Sequence, residues 1–448
     1  MSKSVDASRI PELADIVSFA LAEARAAGAT QAEADASLRQ GLGVTVRLGE
    51  VETIEYQRDR GLDITVYFDG AKGSASSADF KRASVSDMVK KACSIARYTA
   101  RDPYAGLADP ADMARDVPDL DLYHPWDLTP EEAIEIAREC EAAGLAVDSR
   151  LVNSEGGAVS THRGVRVYGN SHGFLGGFPT SSHSVSCVLL AQEGEDMQRD
   201  YWYSTARSAK DLEPLERIGR RAGERTLARL GGRQITTRKS PVLFSPEMAR
   251  AFFGHLISAV RGSSQYRKAS FLQDAMGQQV LPRALQMRER PHMLRGMASS
   301  PFDAEGVATR DRDLVLDGVL QGYVLGSYSA RKLGLRSTGN AGGIHNLLVD
   351  SSDGLLSQEA LLARMGTGFY VTEMMGQGVN GVTGDYSRGA SGFWVENGAL
   401  AYPVHEVTVA GNLKEMFLGV QALGSDIDRL GAIHTGSVLL DEVTIAGG

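Results

Sequence analysis

The glycine-rich stretch 366–398 constrains the fold most, because nine glycines alternate there with β-branched and aromatic residues. Glycine inside a strand weakens a sheet, since it adds chain entropy to the unfolded state and packs against nothing. This density therefore predicts bulges, turns with positive φ, or a second backbone or extended ligand lying close to the strands. A glycine-rich β-meander with a purely structural role satisfies the pattern equally well.

Length and composition indicate an ordinary globular protein of 448 residues, with 43% hydrophobic and 23% charged residues. That length exceeds what one hydrophobic core usually supports, so we expect two domains. A formal net charge of −9 argues against nucleic-acid binding, which rests on Lys and Arg neutralising phosphates. Cys93, Cys140 and Cys187 are far apart and form no CxxC pair, which is typical of a reducing compartment.

The N-terminal residues show no apolar run of the kind found in secretion signals, and no run in the sequence is long enough to cross a bilayer. We therefore expect a cytoplasmic protein that makes no membrane contact.

The first half of the chain alternates helical and strand patterns. Apolar residues at helical spacing predict an amphipathic helix over residues 8–27, which Gly28 ends. Alternation over residues 32–77 predicts a four-stranded meander of two hairpins, and Thr129 opens a later helix through a capping box. The Asp- and Pro-rich segment 103–130 is either a linker, and then a candidate sub-boundary, or an excursion that follows the protein surface.

The main domain boundary is predicted at about residue 235, where a basic polar run separates two complete alternations of strand and helix. Residues 1–235 then form an N-terminal domain of helices packed on an antiparallel β-sheet. Residues 236–448 form a β-rich domain around a buried helix over 246–261, which is apolar on most of its circumference. The fold class is α+β.

Two short motifs have simpler explanations than catalysis. Gly376, Gly378 and Gly381 form a literal GxGxxG, but the sequence that follows is β or loop and offers no helix N-terminus for a pyrophosphate. Residues 169–173 form a literal GxSxG, but the following FLGGFP cannot start the helix that a nucleophile elbow requires. We expect a hairpin turn there.

Histidines are scattered in a way that does not indicate a metal site. His162, His172 and His183, with Cys187, are separated by ten, eleven and four residues, which matches no common ligand spacing. His255 lies alone on the apolar helix, whereas a zincin-like site needs a second histidine and a glutamate on that helix. Taken alone, His255 is expected to be a hydrogen-bonded core residue.

Several sequence blocks in series resemble the TldD/PmbA family, in its PmbA branch, which is also called TldE. The blocks cover nearly the whole chain and are EVETIEYQRDRGLDITVYFDGAKGSASSADF, YGNSHGFLGG, SSPFDAEGVAT, GYVLGSYSARKLGLRSTGNAGG, GQGVNGVTGDYSRGASGFWVENG and VTVAGNLKEMF. The resemblance implies a cytoplasmic heterodimeric peptidase that processes peptide antibiotic precursors, such as a microcin leader, and is linked to DNA gyrase inhibitors. It also implies that the TldD subunit carries zinc on an HExxxH motif and a later cysteine.

The corresponding positions here do not carry those ligands. The HExxxH motif falls on Phe253 to Ser258, so phenylalanine and Ser258 stand at the histidine positions and Gly254 at the glutamate. Phenylalanine cannot coordinate metal, glycine cannot act as a general base, and serine is a poor zinc ligand. The later cysteine falls near His434, where no cysteine exists. We expect no cofactor in this chain and zinc in the partner subunit.

These observations favour a metal-free, non-catalytic partner of a TldD-like subunit, which helps to hold an unfolded peptide in an extended form. A glycine-rich strand edge suits that task, since exposed N–H and C=O groups bind a peptide by strand addition. Asn380, Asp385, Tyr386 and Arg388 are the candidates for lining the peptide channel. Turn residues with a structural Asp–Arg pair are the competing interpretation.

Two further hypotheses remain open. The chain is a peptidase in its own right, with an unrecognised site or one assembled from His255, His405 and His434. Alternatively, it is a non-proteolytic binding module linked to DNA gyrase inhibitors. An isolated chain is also expected to form homodimers through the surface meant for its partner.

Overall fold

The first half of the chain forms one antiparallel sheet. The computed structural model describes residues 4–447, and strands make up most of its regular structure. The strands of this sheet are β1 (Gln31–Arg47), β2 (Glu50–Phe68), β3 (Ala71–Ser77), β4 (Leu151–Asn170), β5 (Leu175–Glu193) and β6 (Asp196–Ala206). Their order is β3-β2-β1-β4-β5-β6, so the two long hairpins β1–β2 and β4–β5 meet at the centre.

Two pairs of helices pack on this sheet. They are α1 (Ile10–Ala26), α2 (Arg82–Tyr98), α3 (Pro130–Leu145) and α4 (Leu215–Ala228). The first pair buries one hydrophobic cluster against β1, β2 and β4, and the second pair buries another against β1, β4, β5 and β6. Gly28 follows α1 with a φ of 87°, and the Thr129 side chain and Glu132 form the capping box of α3. Both helix signals are therefore confirmed.

The predicted four-stranded meander over residues 32–77 is wrong, because the segment contains three strands. The prediction divided β2 into two, but β1 pairs with β2 along its whole length. This continuous pairing carries β2 through Gly61, which lies opposite Ser37. A long partner strand therefore overrides a local signal for interruption.

The second half is β-rich. Its strands are β7 (Arg238–Phe244), β8 (Leu285–Glu289), β9 (Arg312–Leu316), β10 (Val319–Leu320), β11 (Leu347–Ser351), β12 (Gly368–Met375), β13 (Asp385–Glu396), β14 (Ala399–Asn412), β15 (Val420–Leu423), β16 (Ile433–His434) and β17 (Val438–Ala446). Its helices are α5 (Pro246–Val260), α6 (Gly262–Tyr266), α7 (Ser327–Leu333), α8 (Gln358–Met365) and α9 (Leu413–Leu418). The α+β fold class is confirmed.

A closed barrel positions the buried helix. Strands β14, β13, β12, β7 and β17 pair in that order, and β14 also pairs with β17, which closes the ring. Helix α5 packs against β7 and β12 and shares one hydrophobic cluster with all five barrel strands. The smaller sheet has the order β10-β9-β8-β11-β16, and its edge strand β16 also contacts α5.

The two halves contact each other through aromatic packing and a cation. The ring of Phe302 packs against Phe174 at 5.1 Å and Phe178 at 5.4 Å between centroids. Arg331 donates to the carbonyl oxygens of Tyr104, Gly106 and Leu107 at 2.7, 2.8 and 2.9 Å. The first sheet ends at residue 206 and β7 begins at residue 238, and the boundary at about residue 235 stays a prediction.

Residues 4–447 contain no helix that is both long enough and apolar enough to cross a membrane.

Candidate functional site

Helix α5 carries the positions at which the resemblance places a zinc site, and the first of them is a core position. Phe253 is fully buried, and its ring lies 5.6 Å from that of Phe252 and 6.3 Å from that of Phe417. Its side chain therefore faces the hydrophobic core of the barrel. A ligand projecting from this Cα would need a polar environment that the core does not provide.

The other two positions face the opposite way, toward open space. A Cβ placed on Gly254 would meet no atom within 4 Å. Ser258 is exposed, and its hydroxyl donates to the Gly254 carbonyl oxygen at 2.9 Å. This internal bond is common for serine in helices and occupies the hydroxyl proton. The residues at these positions therefore do not fit a zinc ion.

His255 connects this helix to the glycine-rich block. Its ring meets that of Tyr386 edge-on, at 5.8 Å between centroids and 76° between planes. Burial lowers the pKa of His255 below its ordinary value of 6.5, and the positive charge of Arg388 lowers it further. The buried Nε2 atom has no hydrogen-bond partner within residues 4–447. The expectation of a hydrogen-bonded core histidine is therefore wrong at this nitrogen.

Tyr386 and Arg388 lie on β13 on the side that faces α5. The Tyr386 hydroxyl donates to the Met374 sulfur at 2.8 Å, and burial raises the pKa of this tyrosine to about 12. Arg388 donates through Nε to the Gly376 carbonyl oxygen at 3.1 Å. At neutral pH this group thus combines a neutral imidazole, a neutral phenol and a guanidinium.

Asn380 lies in the exposed loop between β12 and β13, and Asp385 is the exposed first residue of β13. The Asn380 side chain accepts from the Val382 and Thr383 N–H groups at 2.9 and 3.3 Å, and Asp385 accepts from the Thr383 hydroxyl at 2.6 Å. Both therefore hold the turn. The competing interpretation of an Asp–Arg pair is wrong, because Asp385 bonds Thr383 and Asn412 while Arg388 bonds a carbonyl.

The glycines of this block serve close backbone contacts and turns. A Cβ on Gly378 would collide with the Ser387 carbonyl oxygen, and one on Gly392 would collide with that of Tyr370. The pairing of β13 shifts register on both of its sides near Gly392. Bulges, positive φ and close backbone approach, which the glycine density predicts, all occur here.

The three histidines of the alternative site occupy different environments. His255 lies on α5, His405 on β14 beside Gly232, and His434 on β16. His434 is 5% exposed, its Nε2 lies 3.1 Å from the Gly431 carbonyl oxygen, and burial lowers its pKa. Within residues 4–447, no group of three or more His, Cys, Asp or Glu side chains could hold a metal ion.

The N-terminal motifs are structural. Ser171, the central residue of GxSxG, lies in the β4–β5 turn, and its hydroxyl oxygen accepts from the Ala32 N–H at 3.0 Å. His183 is buried between the Thr161 hydroxyl at 2.9 Å and the His124 carbonyl oxygen at 2.8 Å. The GxGxxG run is followed by β13 and by no helix, as expected.

A cleft of about 340 Å³ begins where α5 ends, and sequence reasoning assigned no role to its charged residues. Arg261 and Glu305 line it together with the backbone of Gly342 and Gly343. Arg261 has no ion-pair partner in the described part of the chain, whereas Glu305 accepts from the Ser327 N–H at 2.8 Å. The only sequence signal was that Glu305 and the two glycines fall inside blocks quoted for the family resemblance.

Fold and site together define a class of α+β proteins in which a closed barrel holds the helix that would carry a zinc motif. Family models match three segments of the chain: PmbA/TldA metallopeptidase domain 1 over residues 32–96, the central domain over 123–230 and the C-terminal domain over 237–447. The chain belongs to the PmbA/TldD metallopeptidase family, in its PmbA branch.

Relatives are similar over nearly their whole length. Metalloprotease PmbA of Escherichia coli O157:H7 is 51% identical over 416 residues, which cover 93% of this chain and 92% of that protein. The Metalloprotease PmbA homolog of Haemophilus influenzae is 46% identical, with 97% and 96% covered.

Solved structures share the fold. A candidate modulator of DNA gyrase from Bacteroides thetaiotaomicron is similar with a TM-score of 0.92 and 27% identity, covering 98% of this chain and 100% of that one. TldE from Thermococcus kodakarensis is similar with a TM-score of 0.82 and 19% identity, covering 97% and 99%.

Proposed function

We propose that this chain is the metal-free, non-catalytic subunit of a heterodimeric zinc metallopeptidase, whose catalytic subunit is TldD-like and whose substrates are unfolded peptides. One observation carries the proposal: the three positions of the zinc motif hold a core phenylalanine, a glycine and a serine bonded to its own helix. Restoring a zinc site would require replacing a fully buried aromatic side chain with a polar one.

The peptide-holding part of the proposal rests on two features near α5. The β12–β13 loop is exposed and rich in glycine, so backbone groups are accessible to an extended chain. The cleft at the end of α5 offers Arg261 for a carboxylate and Glu305 for an amine, between glycines that admit a backbone. Neither feature selects a particular side chain, which suits unfolded peptides of varied sequence.

A cytoplasmic location is part of this proposal. Cys93, Cys140 and Cys187 are buried as free thiols, which is typical of a reducing compartment.

The direct test is to assay hydrolysis of an unfolded peptide by this chain, by its TldD-like subunit and by the two together. We expect hydrolysis by the pair and none by this chain alone. Arg261→Ala should raise KM of the pair, whereas Arg267→Ala, in the exposed segment after α6, is the matched control. Hydrolysis by the isolated chain would contradict the proposal.

The hypothesis of a histidine site is tested in the same assay. If His255, His405 and His434 formed a catalytic centre, alanine at each would abolish activity of the pair while leaving assembly intact. If this chain is non-catalytic, hydrolysis by the pair should persist in the His405→Ala and His434→Ala variants.

The gyrase-linked hypothesis has one supporting observation, which is that two similar structures are described as candidate modulators of DNA gyrase. It predicts that a pair whose TldD-like zinc site is inactivated still protects cells from a gyrase toxin. Complete loss of protection would count against it.

A further inference from the structure

The cleft at the end of α5 carries two opposite charges whose polar atoms are free. In the described part of the chain, the Arg261 guanidinium forms no hydrogen bond or ion pair, and Glu305 Oε1 accepts no hydrogen bond. Glu305 Oε2 accepts from the Ser327 N–H at 2.8 Å, which holds the carboxylate in the cleft wall. A Cβ on Gly326 would lie 3.5 Å from Oε1, and one on Gly343 would lie 3.6 Å from Arg261 Nη2. The two charges therefore line different parts of the cleft.

A buried hydroxyl without a partner lies beside this carboxylate. Ser327 is 5% exposed, and its Oγ has no hydrogen-bond partner within residues 4–447. Because the N–H of the same residue binds Glu305, this hydroxyl lies at the Glu305 end of the cleft, and its chain neighbours Gly326 and Tyr328 both line the cleft. Leaving a buried polar group unpaired is unfavourable. A ligand that donates several hydrogen bonds at this end would satisfy both Oγ and Oε1.

Two buried carboxyl groups make this end of the cleft more negative. They belong to Glu33 on β1 and to Asp303. Burial raises the pKa of both groups, and the negative charge of Glu305 raises them further. None of the three carboxyl groups has an ion-pair partner among residues 4–447, where they also form no group that could hold a metal ion. The Glu305 end of the cleft is therefore suited to an organic cation.

We propose that the Glu305 end of the cleft binds a primary ammonium group of the substrate peptide. An ammonium group donates three hydrogen bonds, and its bonds to a carboxylate are strengthened by charge, so Glu305 Oε1 and Ser327 Oγ supply two suitable acceptors. This inference rests on the proposed function only in taking a peptide as the ligand.

The amino terminus and a lysine side chain both carry such a group, and the shape of the cleft favours the amino terminus. A Cβ on Gly326, beside Glu305, would lie 3.2 Å from the Ala341 Cβ, and Gly343 lies beside Arg261. The loop 341–343 thus runs from the acidic end to the basic end of the cleft. A peptide whose amino terminus lies at Glu305 can extend along this loop, where its later carbonyl oxygens can accept from Arg261.

Binding of labelled peptides to the isolated chain tests this inference. Three unfolded peptides share one sequence and carry a fluorophore at the carboxyl end: a lysine-free peptide with a free amino terminus, its acetylated form, and the acetylated form with one internal lysine. Fluorescence anisotropy should show that acetylation raises Kd on the order of tenfold. A lysine that restores binding would assign the site to ammonium groups in general, and a lysine without effect would assign it to the amino terminus.

A conservative variant connects this preference to the cleft. Glu305→Gln keeps an oxygen that can accept from the Ser327 N–H but removes the charge, so it should bind all three peptides equally weakly. Glu396→Gln, exposed at the end of β13 and outside the cleft, is the matched control and should behave as the wild-type chain does. Equal Kd values of the wild-type chain for the three peptides, no binding of any of them, or a preference that survives Glu305→Gln would overturn the inference. Hydrolysis by the pair is measured separately and decides the proposed function by itself.

Discussion

Phe253 shows how one residue decides the chemistry open to a helix. The same helix in a zinc-binding relative would need an imidazole at this point, but here the side chain lies among Phe252 and Phe417 in the barrel core. Gly254, one residue later, faces open space. Sequence comparison identified both substitutions, whereas their opposite orientations are visible only in the structure.

Substitutions at these two positions should therefore have opposite effects on stability. Phe253→Ala leaves a cavity in the core and should lower the free energy of unfolding by about 3–5 kcal/mol. Gly254→Ala meets no atom and removes the entropy cost of glycine within a helix, so it should raise that free energy by about 0.5–1 kcal/mol. Urea unfolding of both variants checks this. A destabilised Gly254→Ala variant would show that this face is occupied.

His255 should make stability depend on pH. Its folded-state pKa lies below its ordinary value of 6.5, so the unfolded chain binds the proton more readily. The destabilising contribution of His255 to the free energy of unfolding is therefore absent above about pH 7 and grows as pH falls below 6.5. Compared with His255→Gln, the wild-type chain should lose more stability between pH 7.5 and pH 5.5.

Urea unfolding at both pH values measures this difference. His183 and His434 also have lowered pKa values, so only the comparison with His255→Gln isolates the group. An equal stability difference between the two proteins at both pH values would contradict the assignment.

At the level of elements, local signals predicted helices better than strands. Gly28 and Thr129 mark helix ends through their own backbone and side-chain bonds, so a short window contains the information. The extent of β2 depends instead on pairing with β1. Helix α9 likewise ends at Leu418, because the chain then enters β15, which pairs with β17.

The glycines of β13 and its preceding loop should differ sharply in their tolerance of alanine. A Cβ at Gly392 would meet the Tyr370 backbone in the barrel wall, so Gly392→Ala should cost about 1–3 kcal/mol. Gly381 has nothing within 4 Å of its Cβ position, so Gly381→Ala should change stability by less than about 0.5 kcal/mol. Equal effects in urea unfolding would contradict the close backbone contact.

At the level of the whole molecule, the two halves are joined partly by Arg331, which donates to three carbonyl oxygens of the segment 104–107. Arg331→Ala leaves those carbonyls without their charged donor and should lower stability by about 1–3 kcal/mol. Arg336→Ala removes the pair that the exposed Arg336 side chain forms with Asp112 and should cost less than about 1 kcal/mol. Urea midpoints that rank the two variants in the reverse order would contradict this role.

The closed barrel and the grouping of His255 with Tyr386 and Arg388 could not be predicted from the sequence. Both depend on pairing between strands far apart in the chain, such as β7 with β12 and β17. No short motif encodes such pairing. The sequence did show that the helix lacks zinc ligands at the motif positions, because that conclusion depends only on which residues occupy them.

The zinc content of the isolated chain tests the central claim most directly. The chain should be purified alone and with its TldD-like subunit, dialysed against zinc-containing buffer, and analysed by mass spectrometry for metal per protein. The account predicts substoichiometric zinc in the isolated chain and one zinc per heterodimer, with peptide hydrolysis only in the latter. One zinc per isolated chain, accompanied by hydrolysis, would contradict it.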